Sequence, residues 1–320
     1  MKTVGRLLVT LVLLGLVGAL IFYKRPTWVL LQQVHMNLFM ARVQSNYVAM
    51  PEGRVHYYEA EPRIPGGGIP LVLVHGLADR DESWAPMLIR LKRAGFHVYA
   101  PDLLGYGRSP KPAGSDYSIA TQEQFVQDFI QAIGLQRPNI GGWSMGGWIV
   151  LKLAADHPDL VDRVVVYDAA GLNFNPGRAA ALFHPNSGAD IQALYKLLEP
   201  EAKPIPPFVL RDLMRQKDQG QWVVDRSVAA METGKGLLDA QMPNFQDPLL
   251  IVWGSDDHLI PLAVGQKMHQ LDRSSELDII QGCGHLAPKV CPARVAEATA
   301  DFLKAQPVPT GQVRTLTKMH

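Results

Sequence analysis

The run Gly142-Trp143-Ser144-Met145-Gly146 constrains this chain more than any other. The apolar stretch Asn139-Ile140-Gly141 leads into it, and Trp148 to Ala154 follows with helical spacing. A serine between two glycines at a strand-to-helix junction requires a turn so tight that the serine backbone is strained. A side chain at either glycine would clash with the adjoining strand or helix. The turn therefore predicts a hydroxyl raised above a sheet with a helix N-terminus behind it. Ser144 is on this ground the first candidate for a nucleophile. The plainer alternative is a glycine-rich turn with a surface serine.

The rest of the chain separates these readings. A nucleophile of this kind needs an acid and a base further along, in the order Ser, Asp, His. Pro248 to Trp253 reads as a buried strand, and Gly254-Ser255-Asp256-Asp257 follows it directly. Leu277-Asp278-Ile279-Ile280 reads as another strand, leading to Gly282-Cys283-Gly284-His285. Both polar groups lie just past strand C-termini, where open α/β sheets place their sites. Upstream, the strand Ile69 to Val74 runs into His75-Gly76-Leu77. A loop at that place supplies one backbone donor for an oxyanion, and the residue after the nucleophile supplies the other. These would be the N–H groups of Leu77 and Met145. His75 is read as a structural residue that holds the loop, not as the base.

By these motifs the chain resembles the α/β-hydrolase superfamily over about residues 50 to 305. The likeness rests on His75-Gly76, Asp102-Leu103-Leu104-Gly105-Tyr106-Gly107-Arg108-Ser109, the Ser144 turn, Trp253-Gly254-Ser255-Asp256-Asp257 and Gly284-His285. Within that superfamily it is similar to membrane-anchored monoacylglycerol lipases and small bacterial lipases and esterases. Haloalkane dehalogenases and epoxide hydrolases carry aspartate where this chain has Ser144. The resemblance implies Ser144 as nucleophile, His285 as base and Asp257 as acid, with Asp256 and Asp168 open as alternative acids. It further implies a carboxylic-ester hydrolase acting on lipid-like esters through an acyl-enzyme, with no cofactor. A C–C bond hydrolase of ring-cleavage products and a non-catalytic hydrolase-fold receptor or scaffold are the alternatives. The motif Asp102 to Ser109 is read as loop architecture.

The 320 residues suffice for one α/β domain with an inserted subdomain. Alternating strands and helices predict a mostly parallel sheet with helices on both faces. That alternation stops between Leu172 and Pro243, where helical, proline-containing segments predict a cap or lid over 172–243. The core is then expected over 50–171 and 244–305, and 306–320 as a flexible tail. Ser83 to Ala94 and Thr121 to Ile133 read as helices, and Pro62 to Gly68 as a turn. The net charge of +1 and the lack of any basic run exclude a nucleic-acid partner. The two cysteines, Cys283 and Cys291, are read as free buried thiols, with a disulfide open as the alternative should the domain be extracytoplasmic. No His and Cys spacing matches a metal site. The oligomeric state stays open.

The N-terminus differs from the rest. Leu7 to Tyr23 carries no charge, and twelve of its seventeen residues are Leu, Val, Ile or Phe. Lys2 and Arg6 precede it and Lys24 and Arg25 follow. Seventeen residues is the short limit of a membrane-spanning helix. Val17-Gly18-Ala19 would pass as a signal cleavage site, leaving a secreted or periplasmic protein. The apolar run continues past it, so residues 1–25 are expected to be an uncleaved single-pass anchor. Basic residues flank both ends and leave its orientation undecided. Residues 26–49 are expected to form a juxtamembrane helical linker, part of it suited to lie on a membrane surface.

Overall fold

The computed structural model describes residues 2–64, 67–175, 177, 179–217 and 220–317. Residues 65 and 66 of the expected 62–68 turn, and 318–320 of the expected tail, lie outside this set. The strands are β1 (Gln44–Met50), β2 (Gly53–Ala60), β3 (Ile69–Val74), β4 (Phe96–Pro101), β5 (Asn139–Trp143), β6 (Val164–Tyr167), β7 (Leu249–Gly254), β8 (Glu276–Gln281) and β9 (Val313–Thr317). They form one sheet in the order β1-β2-β4-β3-β5-β6-β7-β8-β9. The β1–β2 and β2–β4 pairs are antiparallel, and all pairs from β4–β3 to β8–β9 are parallel.

The helices are α1 (Lys2–Lys24), α2 (Pro26–Met40), α3 (Ala85–Arg93), α4 (Ile119–Ala132), α5 (Met145–Asp156), α6 (Ala179–Leu182), α7 (Gly188–Leu198), α8 (Pro207–Lys217), α9 (Gln221–Glu232), α10 (Leu262–Leu271), α11 (Ala287–Val290) and α12 (Pro292–Lys304). Successive strand residues feed opposite cores. Val164 and Val166 pack with Phe125 and Phe129 of α4, Ile149 of α5 and Met268 of α10. Val165 and Tyr167 pack with Leu88 of α3 and Val295 and Phe302 of α12. A strand covered on both faces needs no polar alternation, which is why β6 reads Val-Val-Val-Tyr. Helix α4 begins at a Ser118 cap, whose hydroxyl accepts from Thr121 N–H at 3.2 Å.

Strand β3 lies between β4 and β5, so the chain leaves β3 toward one side of the sheet and later returns on the other. Loops after β3 and β5 thus diverge at a crevice, the position where open α/β sheets bind ligands. Residues 172–243 hold α6 to α9 and, among the described residues, no strand. They enter after β6 and leave before β7, over the same end of the sheet.

Two expectations are corrected here. The linker 26–49 is not helical throughout: α2 stops at Met40 and Gln44–Met50 is the edge strand β1. Its Asn46, Val48 and Met50 are half-buried while the residues between them are exposed, a period of two. The 306–320 tail is not loose either, because β9 adds to the sheet beside β8. Asp278 explains this. It is fully buried within β8, and the Arg314 guanidinium meets it with two hydrogen bonds of 2.7 and 2.5 Å. A buried carboxylate requires such a partner.

Asp247, in the loop before β7, is 7% exposed. Burial first, then the charges of Asp162 and Asp159, raise its pKa to about 6, against the opposing effect of Arg137. A carboxyl with a raised folded pKa binds more protons folded than unfolded, so its contribution to stability falls as pH rises from about 4 to about 6. Asp247→Asn is expected to raise the melting temperature at pH 8 and not at pH 4. Calorimetry at both values checks it; an equal shift at both would mean that ionisation is not the cause.

Helices α1 and α2 meet at a sharp bend, 106° between Thr10–Lys24 and Pro26–Met40. Among the described residues no single helix is long and apolar enough to cross a membrane; this bent pair passes on length and composition together. Leu11, Leu14, Leu16 and Leu20 of α1 are each more than half exposed. The foot of α1 rests on the inserted helices: the Phe22 and Tyr23 rings meet Phe208 of α8, each at 5.7 Å. The Asp212 carboxylate accepts from Thr27 N–H at 3.1 Å.

Candidate active site

The Ser144 turn has the predicted strain. Ser144 adopts φ +57° and ψ −118°, a region costly for any L-residue. A Cβ on Gly142 would lie 2.2 Å from the Gly146 carbonyl oxygen, and one on Gly146 would lie 2.3 Å from that of Val74. Only glycine fits at either position. The turn is closed by Ser144 N–H donating to the Tyr167 carbonyl at 3.0 Å. Helix α5 starts at Met145, so its positive end lies against the serine.

Gly76 passes close by: a Cβ there would be 3.2 Å from Ser144 Cβ. Leu77, Ser144 and Met145 all line one cavity. The N–H groups of Leu77 and Met145 donate to no protein acceptor among the described residues. His75 is buried and holds the loop. Its Nε2 accepts from Leu103 N–H at 3.0 Å, so Nδ1 carries the proton and donates to the Gly76 carbonyl at 2.8 Å.

Asp257 and His285 are brought together from two strand ends. His285 Nδ1 lies 2.7 Å from Asp257 Oδ2, with both residues buried. The other carboxylate oxygen, Oδ1, accepts from the N–H groups of Leu259 at 2.8 Å and Ile260 at 2.9 Å. His285 is placed against the nucleophile strand by the Trp143 indole, which donates to the His285 carbonyl at 2.8 Å. Ser144 and His285 are not hydrogen-bonded to each other among the described residues. Serine hydrolases often close that gap only with substrate present.

The two alternative acids have other partners. Asp256 accepts from the Ser255 hydroxyl at 2.7 Å. Asp168 is fully buried and accepts from Gly254 N–H at 2.7 Å. Burial first, then the Asp257 charge, hold the Asp168 carboxyl well above the usual range. A raised pKa favours the neutral acid at Asp168, whereas Asp257 is the carboxyl that meets the imidazole.

The cavity beside Ser144 has a volume of about 310 Å³. Trp148, Leu259 and Ile260 come from the core, and Leu172, Phe174, Phe183, Val228 and Met231 from the inserted segment. The sequence alone assigns none of these to the pocket. The one signal available was the apolar pair Leu259-Ile260 directly after the acid. Glu232 is the single charged lining residue, and no Lys, Arg or His lines the cavity, among the described residues.

Behind the site lies a buried network that no sequence spacing showed. His56 Nδ1 lies 2.6 Å from Asp81 Oδ2, and Asp102 accepts from the N–H groups of Asp81 at 3.0 Å and Arg108 at 2.8 Å. Burial opposes ionisation of Asp102, but the hydrogen bonds from His56 and these N–H groups outweigh it and bring its pKa to about 2. Asp102 therefore ties together the loops after β3 and β4, as its reading as loop architecture expects.

Residues 69–290 match the family described as the alpha/beta hydrolase fold. The chain belongs to that family. This hydrolase is similar to a 2-hydroxymuconate semialdehyde hydrolase of a Pseudomonas species, 26% identical over 74% of this chain and 88% of the relative. It is similar to Lipase 1 of Psychrobacter immobilis, 26% identical over 74% of this chain and 76% of that one. Among solved structures it resembles a membrane phospholipase A, with 27% identity and a TM-score of 0.76 over 95% of this chain and 98% of that one.

One further expectation is overturned. Cys283 and Cys291 are not free thiols but a disulfide. Their Cα atoms are 6.4 Å apart, within bridging range, because the short helix α11 folds the chain back on itself. The eight-residue spacing alone gave no sign of this. The bridge brackets His285 and closes its loop. Replacing both cysteines by serine is expected to cost about 2 to 3 kcal/mol of stability. Melting of the wild-type and double variant with and without a thiol reductant checks this; a reductant-insensitive wild-type would refute it.

Proposed function

We propose that this hydrolase cleaves carboxylic esters of lipid-like substrates through a Ser144–His285–Asp257 triad. His285 Nε2 takes the Ser144 proton as Oγ attacks the ester carbonyl, and returns it to the departing alcohol. Asp257 holds the imidazole tautomer and stabilises the imidazolium. The N–H groups of Leu77 and Met145 receive the oxyanion, aided by the positive end of α5. Water then cleaves the acyl-enzyme by the same steps in reverse. The observation that carries the reading is the buried Asp257–His285 pair at 2.7 Å, beside a strained serine that lines an apolar cavity.

The relatives named above include both a lipase and a semialdehyde hydrolase, so the substrate class is argued from the cavity. A ring-cleavage product such as a 2-hydroxymuconate semialdehyde carries a carboxylate, which needs a cationic or donor-rich pocket. The described lining offers mostly apolar side chains, with Asn173 as its one amide, Glu232 as its one charged group and no cation. This favours a neutral ester with an aliphatic acyl chain. The exposed, apolar α1 and the likeness to a membrane phospholipase support attachment to a membrane. The disulfide supports a catalytic domain on the oxidising side of that membrane.

The purified full chain in detergent is to be offered p-nitrophenyl esters of increasing acyl length, together with a ring-cleavage dienoate. Medium or long acyl chains are expected to be turned over at least tenfold faster than acetate, with the dienoate inert. A preference for acetate removes the lipid reading, and dienoate cleavage removes the ester reading.

A further inference from the structure

A second cavity lies apart from the catalytic one, between the C-terminal end of α2 and the Arg108 loop. Its volume is about 900 Å³, and His35, Leu38, Phe39, Met40, Arg42 and Arg108 are among its walls. One side is apolar: Leu38 is buried beneath it, while Phe39 and Met40 are 75% and 72% exposed. The other side is cationic. Arg42 is exposed and Arg108 half-exposed, and no Asp or Glu lines the cavity among the described residues.

Arg108 is held in place by an ion pair with Glu82, with Asp81 Oδ1 3.8 Å away, and its side chain stays about one third exposed. One Nη2 bonds to the Tyr58 hydroxyl at 3.0 Å and to Glu82 Oε1 at 3.0 Å, while Nη1 reaches Ser45 Oγ at 3.4 Å. Glu82 is 8% exposed, lies beneath the groove, and also takes His35 Nε2 at 3.1 Å. Lys92 adds a third cation at the edge, donating to the carbonyls of Ala41 at 3.0 Å and Arg42 at 2.8 Å.

Helix α2 leads into this groove. Trp28, Met36, Phe39 and Met40 fall within one third of its circumference at 100° per residue, and each is more than half exposed. The helix carries no Asp, Glu, Lys or Arg. Such a stripe on a soluble surface is costly and suits a helix lying in the headgroup region of a bilayer. An apolar wall beside two guanidinium groups matches a ligand with a negative head and an aliphatic chain.

From this juxtaposition we infer that the groove between the end of α2 and the Arg108 loop binds an anionic phospholipid of the membrane on which α2 lies. The phosphodiester is held by Arg42 and Arg108, and the first acyl carbons by Phe39 and Met40. The site extends the membrane attachment proposed above and is independent of the ester chemistry.

The test uses the full chain carrying Ser144→Ala, so that lipid stays intact, reconstituted in phosphatidylcholine vesicles. Electron spin resonance then reads the immobilised fraction of spin-labelled phosphatidylglycerol against spin-labelled phosphatidylcholine. Each cation near a bilayer surface is worth about a fivefold preference for anionic lipid. Phosphatidylglycerol is expected to be favoured at least fivefold, and Arg42→Gln with Phe39→Ser to remove most of that preference. Lys24→Gln with Arg25→Gln, at the foot of α1, is to leave at least half of it. Hydrolysis of a water-soluble ester by the same variants with Ser144 restored checks that they fold. No preference in the parent chain overturns the inference. So does a preference abolished by the Lys24 and Arg25 changes but not by Arg42→Gln with Phe39→Ser. Stronger immobilisation of spin-labelled stearate than of phosphatidylglycerol would assign the groove to a free fatty acid and overturn it as well.

Discussion

Ser144→Ala is expected to lower kcat for ester hydrolysis by about 10⁵- to 10⁶-fold, with little change in substrate binding. In the proposed mechanism the hydroxyl forms the acyl-enzyme, so nothing else in the cavity would replace it. What survives is the effect of the oxyanion donors and of binding, about 10³- to 10⁴-fold over water. His285→Ala is expected to fall as far, because nucleophile and base act as one unit and their losses do not add. A fluorophosphonate probe gives the independent readout: it should label the wild-type on a peptide containing Ser144 and leave Ser144→Ala unlabelled. Turnover above about a tenth of wild-type in Ser144→Ala, or labelling elsewhere, would remove the serine mechanism. Failure of the wild-type to react would instead favour a scaffold that has kept the residues without the activity.

The second prediction concerns the acid. Asp257→Asn is expected to lower kcat by about 10⁴-fold while the fold stays intact. Asparagine would present the wrong polarity to His285 Nδ1, which Asp257 now meets at 2.7 Å. The imidazole would adopt the other tautomer, with its proton on the nitrogen that must act as base. Asp168→Asn is expected to change kcat by less than about tenfold. Burial first, then the Asp257 charge, hold the Asp168 carboxyl well above the usual range, and an amide is close in shape and charge to the neutral acid that this favours. Its Oδ1 accepts from Gly254 N–H, which an amide oxygen can also do. The pair of variants, assayed for kcat and for melting temperature, is therefore a direct comparison of the two strand ends. A larger kcat loss at Asp168, without a larger fall in melting temperature, would move the acid from β7 to β6.

The oxyanion role proposed for Leu77 and Met145 needs no particular side chain, because the main chain would donate. Their arrangement follows from β3 and β5 being neighbours in the sheet although β4 separates them along the chain. Sequence order alone hides that adjacency, and only the motifs at the two strand ends hint at it.

Local sequence determined the parts of this protein whose causes are local. The Ser144 turn was legible because no residue but glycine fits at 142 and 146, and β6 because a doubly covered strand is apolar throughout. The positions of Asp257 and His285 after strand ends were legible for the same reason. Tertiary structure alone decided what depends on residues far apart in the chain. Asp278 drew β9 onto the sheet edge through Arg314, and α11 folded Cys283 onto Cys291. Asp168 and Asp257 were equivalent as letters, and only the fold set Asp257 against His285 while burial, then the Asp257 charge, raised the Asp168 carboxyl well above its usual range. Apolar residues of the inserted helices could not be divided between their own packing and the cavity, because burial preference is identical for both until the helices are placed.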